Sequence, residues 1–189
     1  SAGTLSLSNS VVSGNTAFVG GAIESAGPLT LTATVIQSNN ASYAGGGIYM
    51  DGGTLTMTDS VISGNTSPIG AGGGLLLDTA AVVLDRTTVS GNSSGNWGGG
   101  IYNLGTMTVT NSSIVANAAN GWGGGIYNTA TGIANVFNST IAYNGANQDD
   151  DANGGQAGGV VNYGIFAIRN TLIAANNIEG IPLYDDCAG

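Results

Sequence analysis

The sequence predicts an all-β solenoid, a right-handed parallel β-helix of about seven coils with three short strands in each. Three observations predict it: one motif repeated along the whole chain, apolar columns of period two within each copy, and an asparagine at a fixed place in every copy. The copies begin at Gly3, Gly27, Gly53, Ala80, Gly105, Gly132 and Gly164, at spacings of 24, 26, 27, 25, 27 and 32 residues. A period near 25 is the mark of units that stack on their neighbours because none can bury its apolar face alone.

Each copy reads G-T-L-T-L-T-N-S-x-I-S-G-N, then a variable stretch, then G-G-G-I-Y-N. The first strand shows in the alternating pairs Leu5/Leu7, Leu29/Leu31, Leu55/Met57, Val82/Leu84, Met107/Val109, Ala134/Val136 and Phe166/Ile168. Alternation of this kind marks a half-buried strand. The second strand carries the column Val12, Ile36, Ile62, Val89, Ile114, Ile141 and Ile173, with Ser or Thr two residues earlier in every copy, small enough to face inward. The third follows glycines that permit tight bends and carries Ile23, Ile48, Leu75, Ile101, Ile126 and Val160.

A leucine-rich repeat has a different leucine and asparagine spacing, and a propeller blade needs about 40 residues in four strands. Coils that pair in parallel with their neighbours fit instead, rising about 4.8 Å each, so that seven make a rod roughly 34 Å long. Handedness follows from the preference of parallel crossovers for the right-handed sense. The whole chain, 1–189, reads as a single β-helix domain, either a segment of a longer chain or a subunit that stacks end to end.

Asn15, Asn39, Asn65, Asn92, Asn117, Asn144 and Asn176 form the fixed column. At a bend, Asn tolerates left-handed or bridge geometry, and stacked amides hydrogen-bond from layer to layer. A second column six residues upstream holds Asn9, Asp59, Asn111, Asn138 and Asn170, interrupted by Ala33 and Arg86. Regularity of this kind is the signature of a scaffold.

Composition narrows the partners. The chain has 34 glycines, 7% charged residues and a formal net charge of −9, with Arg86 and Arg169 as its basic residues and no Lys or His. Phosphate backbones and anionic lipids are bound through clustered Lys and Arg, so nucleic acid is excluded as a partner and charge-driven lipid binding with it. No apolar run reaches 18 residues, so this segment inserts no helix in a membrane. Cys187, the single cysteine, has no internal partner for a disulfide.

The elements Gly20-Gly21-Ala22-Ile23, the G-G-G-I-Y-N runs at Gly98–Asn103 and Gly123–Asn128, and the S-G-N runs ending at Asn65 and Asn92 carry a family resemblance. They are similar to the repeats of bacterial β-helix surface and secreted proteins. Among these are the polymorphic outer-membrane-protein repeats, built on G-G-A-I and F-x-x-N elements, and the β-helix regions of anchored extracellular proteins. The resemblance implies an extracellular or cell-surface location and a non-enzymatic structural or adhesive rod. A polysaccharide-binding or polysaccharide-degrading β-helix is the alternative. Its chemistry requires a pair of carboxylates for hydrolysis, or a base to take a proton for elimination, and the absence of His and Lys weighs against it. Ice binding through the outward threonines Thr54/Thr56/Thr58 and Thr106/Thr108/Thr110 is a third reading, opposed by the gaps at Val83, Asp85, Asn135 and Arg169.

Departures from the repeat are where specificity can be placed. Trp97 and Trp122 share one place in successive copies, and Tyr49, Tyr102 and Tyr127 form a neighbouring column broken by Leu76. An outward aromatic stripe of this kind suits glycan rings or a host or cell-surface protein. The longest interval contains Asp149, Asp150 and Asp151, oxygen ligands of the kind Ca²⁺ takes, and Asp185 and Asp186 repeat that pattern. Neither stretch has the spacing of a known calcium loop, and no other cofactor is implied. Open ends of a β-helix leave unpaired backbone groups, which predicts self-association through those ends into a fibre.

Overall fold

The computed structural model describes residues 3–146, 157–178 and 186–188. The chain passes through four parallel sheets in turn, and each sheet holds seven strands in the order of the coils. Five turns, from Leu5 to Asn128, are described without a break. The last two contain the stretches 147–156 and 179–185, which lie outside the described residues. Among the described residues there is no helix.

Coil four represents the pattern with strands Ala81–Asp85, Thr88–Ser90, Ser93–Ser94 and Ile101–Asn103. Register between coils is strict on the first sheet, where Val82 pairs with Leu55 and Met107, and Leu84 with Met57 and Val109. A slip of one residue would turn every apolar side chain to the solvent. The inward columns of the first, second and fourth sheets are fully buried at Leu31, Ile36, Ile48, Met57, Ile62, Leu77, Leu84 and Ile101. Burying each such side chain contributes about 1.5–3 kcal/mol.

The number of strands per coil corrects the sequence reading, which places three. The additional sheet follows the asparagine column and is made of very short strands such as Thr66–Ser67, Ser93–Ser94 and Ala118–Ala119. A two-residue strand turns one side chain inward, and here those side chains are Ser67, Ser94, Ala119 and Ala146, all buried. Alternation needs several residues to show, and small inward residues give no apolar column.

The asparagine ladder is a buried hydrogen-bonded chain. Asn65 donates from its backbone N–H and from Nδ2 to Oδ1 of Asn92, at 3.0 and 2.9 Å. Asn92 donates in the same way to Asn117 and Asn117 to Asn144. The second Nδ2 proton goes to the preceding coil's backbone, as from Asn92 to Ile62 O at 3.0 Å. The bonds between asparagines all run from one coil to the next, and Asn176 donates at 3.0 and 2.9 Å to Oδ1 of Asp186. Asp186 thus serves the ladder as an acceptor.

Bend geometry falls to the residue before each ladder asparagine, a second correction. Gly14, Ser38, Gly64, Gly91, Ala116, Tyr143 and Ala175 all have positive φ. The upstream column does adopt left-handed geometry throughout, including Ala33 and Arg86. The small hydroxyls lie inside as expected: Thr34, Ser60, Thr87, Ser112 and Ser139 are buried. Each bonds a carbonyl two residues earlier, as Ser112 does to Thr110 O, and some accept an N–H from the previous coil, as Ser112 Oγ does from Thr87.

Candidate partner-binding face

The residues that break the repeat converge on the corner between the third and fourth sheets. One column there runs Val19, Ala44, Ala71, Trp97, Trp122, linked by backbone bonds from Gly45 to Ala71 O, Gly72 to Trp97 O and Gly98 to Trp122 O. Small residues in the early coils and tryptophan in coils four and five make a step. The step forms one end of a groove whose lining includes Ala44, Ala71, Leu76, Tyr43, Ile69 and Trp97. Tyr43 and Ile69 are exposed, and Tyr43 stacks on exposed Phe18 with ring centroids 5.3 Å apart and planes 4° apart.

Tyr49, Leu76, Tyr102 and Tyr127 occupy one column on the fourth sheet, directly paired from coil to coil. Tyr102 and Tyr127 stack at 5.3 Å and 15°, and Trp97 lies 6.1 Å from Tyr102 and 5.7 Å from Tyr127. Trp97 and Trp122 are 6.3 Å apart and tilted by 37°, looser than the stack of about 5 Å that coil spacing alone predicts. Indole rings on a loop are free to turn onto the tyrosines beside them, and that contact sets their angle.

Exposure differs within the group. Trp97 is 37% exposed, whereas Tyr127 is 9% exposed and packs with Ala157, Val161 and Trp122. The stripe is thus a ridge with a buried foot: Trp97 offers ring surface at the groove, and Tyr127 supports it. Desolvation raises the phenol pKa of Tyr102 and of Tyr127. Tyr49, three coils earlier than Tyr127, stands apart beyond Leu76 and belongs with Ala44, Ala71 and Leu76.

Sequence reasoning missed the acidic group beside Tyr49. Asp51 pairs with Asp78 in the next coil, and Glu24 pairs with Tyr49 itself. Burial raises the Tyr49 phenol pKa first, and Asp78, Asp51 and Glu24 raise it further. The signal was present as an acidic residue two places after Tyr49 and after Leu76, but the meeting of these side chains depends on register. Among the described residues no three His, Cys, Asp or Glu side chains are grouped to hold a metal ion. Asp149, Asp150 and Asp151 lie outside the described residues.

The basic residues sit away from this corner. Arg86 donates from Nε to Asp59 Oδ1 at 2.6 Å and from Nη2 to Asp59 Oδ2 at 3.1 Å, and it also pairs with Asp85. Asp85 in turn accepts from Asn111 at 2.9 Å. Arg169, at the end of its strand in the same row as Asp85, lies at a shallow depression beside Thr110, Phe137, Asn138 and Asn170. On the outward face of that sheet Thr30 and Thr56 pair in register, followed by Val83, Thr108, Asn135 and Ala167. The threonine array is interrupted as the sequence implies.

Fold and repeat together define a parallel β-solenoid repeat protein, and one stretch of it is similar to a known repeat. Residues 86–104, most of coil four, match the Chlamydia polymorphic membrane protein (Chlamydia_PMP) repeat. That stretch holds Val89-Ser90-Gly91-Asn92 and Gly98-Gly99-Gly100-Ile101, so an inward apolar residue stands three places before a buried asparagine, the spacing of F-x-x-N with Val in the place of Phe. No curated protein and no solved structure matches the chain.

Proposed function

We propose that the chain is a non-enzymatic, surface-exposed rod of adhesive type that engages its partner sideways, through the groove and ridge built on Trp97 and Tyr102. One observation carries this reading: the interior repeats without a break through the coils, while the outer side chains change abruptly at a single corner. The step from Ala44 and Ala71 to Trp97 and Trp122 creates exposed ring surface and a recess beside it. Exposed apolar surface of this kind marks an interaction site, and aromatic rings beside polar groups suit sugar rings or a protein loop. The match of coil four to a membrane-protein repeat supports a location at the outer membrane or cell surface. Binding to a glycan array and to host-cell surfaces, compared between the native protein and Trp97→Ala, tests the reading. A loss of tenfold or more in affinity is expected; equal binding by both proteins would remove the groove from the function.

A polysaccharide-cleaving reading has one observation in its favour, the Asp51 and Asp78 carboxylates in adjacent coils next to Tyr49. Two carboxylates are the minimum for glycoside hydrolysis. Saturable cleavage of a neutral or acidic polysaccharide, abolished in Asp51→Asn or Asp78→Asn, would establish it. Ice binding would require thermal hysteresis lost on disrupting Thr56 and Thr108.

A further inference from the structure

The floor of the groove and its charged margin belong to the same coil. Coil three carries Ala71 where the next two coils have tryptophan, and Leu76 where the coils on either side have tyrosine. The recess therefore follows coil three, between walls that include Tyr43 of coil two and Trp97 and Tyr102 of coil four. The strand that forms its floor, Leu75–Asp78, continues beyond Leu76. Side chains two apart on a strand share a face at a spacing of roughly 6–7 Å, so Asp78 prolongs the outward row past Leu76, with Asp51 as its register partner in coil two. Asp78 stands near both phenols that flank Leu76: after burial it is the next cause raising the pKa of Tyr49, and likewise that of Tyr102.

No basic residue offsets this charge. Asp51 and Asp78 oppose each other in adjacent coils, and Glu24 opposes Tyr49. Like charges in register repel. Both arginines of the chain belong to a different sheet: Arg86 follows the first-sheet strand Ala81–Asp85 and is held by Asp59 and Asp85, and Arg169 ends the first-sheet strand Ile165–Arg169. The groove thus places exposed ring surface of Trp97 and the ring of Tyr102 next to carboxylates that have no basic partner among the described residues. Electron-rich ring faces attract cations, and so do carboxylates. A guanidinium serves both at once, because it is planar enough to stack on a ring and forked to meet a carboxylate. Acidic sugars are repelled by such a face, and neutral sugars leave its charge unanswered.

We infer that the groove takes an arginine-bearing segment of a partner protein, with the aliphatic stem of the arginine along Ala71 and Leu76 and its guanidinium between the aromatic wall and Asp78 and Asp51. This rests on the lateral groove proposed above and names its occupant as a basic polypeptide in place of a glycan. Association is steered by charge and weakens as salt is added.

The test titrates a fluorescent peptide of glycine, serine and arginine, and its counterpart with neutral citrulline in place of arginine, against the native protein, Trp97→Ala and the double variant Asp51→Asn/Asp78→Asn. The same three proteins are assayed for binding to host-cell surfaces. The arginine peptide is expected to bind the native protein roughly tenfold or more tightly than the citrulline peptide, and each variant to lose most of that preference. Equal binding of the two peptides by the native protein would overturn the inference. So would a loss in the double variant that Trp97→Ala does not share, since attraction to an acidic rod as a whole would then account for the binding. Cell-surface binding that Trp97→Ala loses and the double variant keeps would leave the groove in the function and overturn its cationic partner. Cell-surface binding that no variant changes would remove the groove and the inference together. Should the double variant fail to fold, the comparison of arginine with citrulline on the native chain decides alone.

Discussion

Two asparagine-bearing columns run the length of this molecule, one buried and one on the surface, and they obey different rules. The first column is asparagine in all seven coils, exposed at Asn15 and buried from Asn39 to Asn176. The surface column accepts Asn, Ala, Asp and Arg at one backbone conformation, with φ between 47 and 52°. Left-handed geometry costs an ordinary residue roughly 1–2 kcal/mol, a sum that a stable fold absorbs. Removing a buried amide leaves several donors and acceptors unpaired at about 1–3 kcal/mol each, and no neighbour can replace them. Shape is negotiable at the surface; hydrogen-bond satisfaction in the interior is not.

The sharpest way to break this contrast is to make the same substitution in both columns. Asn92→Ala would strand the N–H and Nδ2 of Asn65 and the carbonyl of Ile62. It is expected to destabilise by on the order of 3–5 kcal/mol. Asn111→Ala loses one exposed bond to Asp85 and is expected to cost about 1 kcal/mol or less. Chemical denaturation of both variants would measure the difference, and equal losses would mean that burial is not what separates the columns.

Ser94 extends the argument to a position where the interior is not satisfied. Its hydroxyl is the buried side-chain polar atom without a hydrogen-bond partner among the described residues, and its register partner is Ala119. Ser94→Ala is expected to raise stability by about 1 kcal/mol, since an unpaired buried hydroxyl is removed at no loss of contacts. A fall in the denaturation midpoint would show that the hydroxyl is served by something other than the protein.

On the surface column Ala33, with φ of 47°, is the member with no side-chain compensation. Ala33→Gly relieves the left-handed strain but adds freedom to the unfolded chain, an opposing effect of about 0.4–1 kcal/mol. A net gain of about 0.5 kcal/mol in thermal unfolding is expected.

The smallest effect concerns Asp59 and Arg86. The hydrogen bond from Arg86 holds the Asp59 carboxyl below its ordinary pKa. A carboxylate depressed in the folded state contributes stability above its unfolded pKa, and that contribution is lost as pH falls through the folded value. Melting temperature should therefore drop slightly more between pH 5 and acid in the native protein than in Arg86→Ala, and salt should shrink the difference. The tyrosines act in the opposite window. Tyr102 and Tyr127 have raised pKa values through burial, so their contribution is full below the ordinary tyrosine range and is lost as pH rises through the folded value.

Periodicity made the solenoid, the inward columns and the asparagine ladder legible, because each recurs in every coil and needs no knowledge of distant neighbours. The short third-sheet strands were not legible, since Ser93–Ser94 and Ala118–Ala119 carry no alternation. At the candidate site the aromatic residues could be named individually. Their roles could not: Tyr127 is a buried support, Trp97 a groove wall, and Tyr43, Ile69 and Phe18 were not foreseen as their neighbours.

By itself the sequence determined where coils begin, which side chains face inward and which asparagines repeat, all local properties of a chain with period near 25 residues. Only the tertiary structure decided which residues of different coils share a column. Insertions in the variable stretches hide that correspondence from a linear reading, and parallel pairing restores it. The two results that depend on it are the step from alanine to tryptophan that opens the groove, and the arrival of Asp186 as the acceptor for Asn176 of the ladder. Both are made by the physical stacking of one coil on the next.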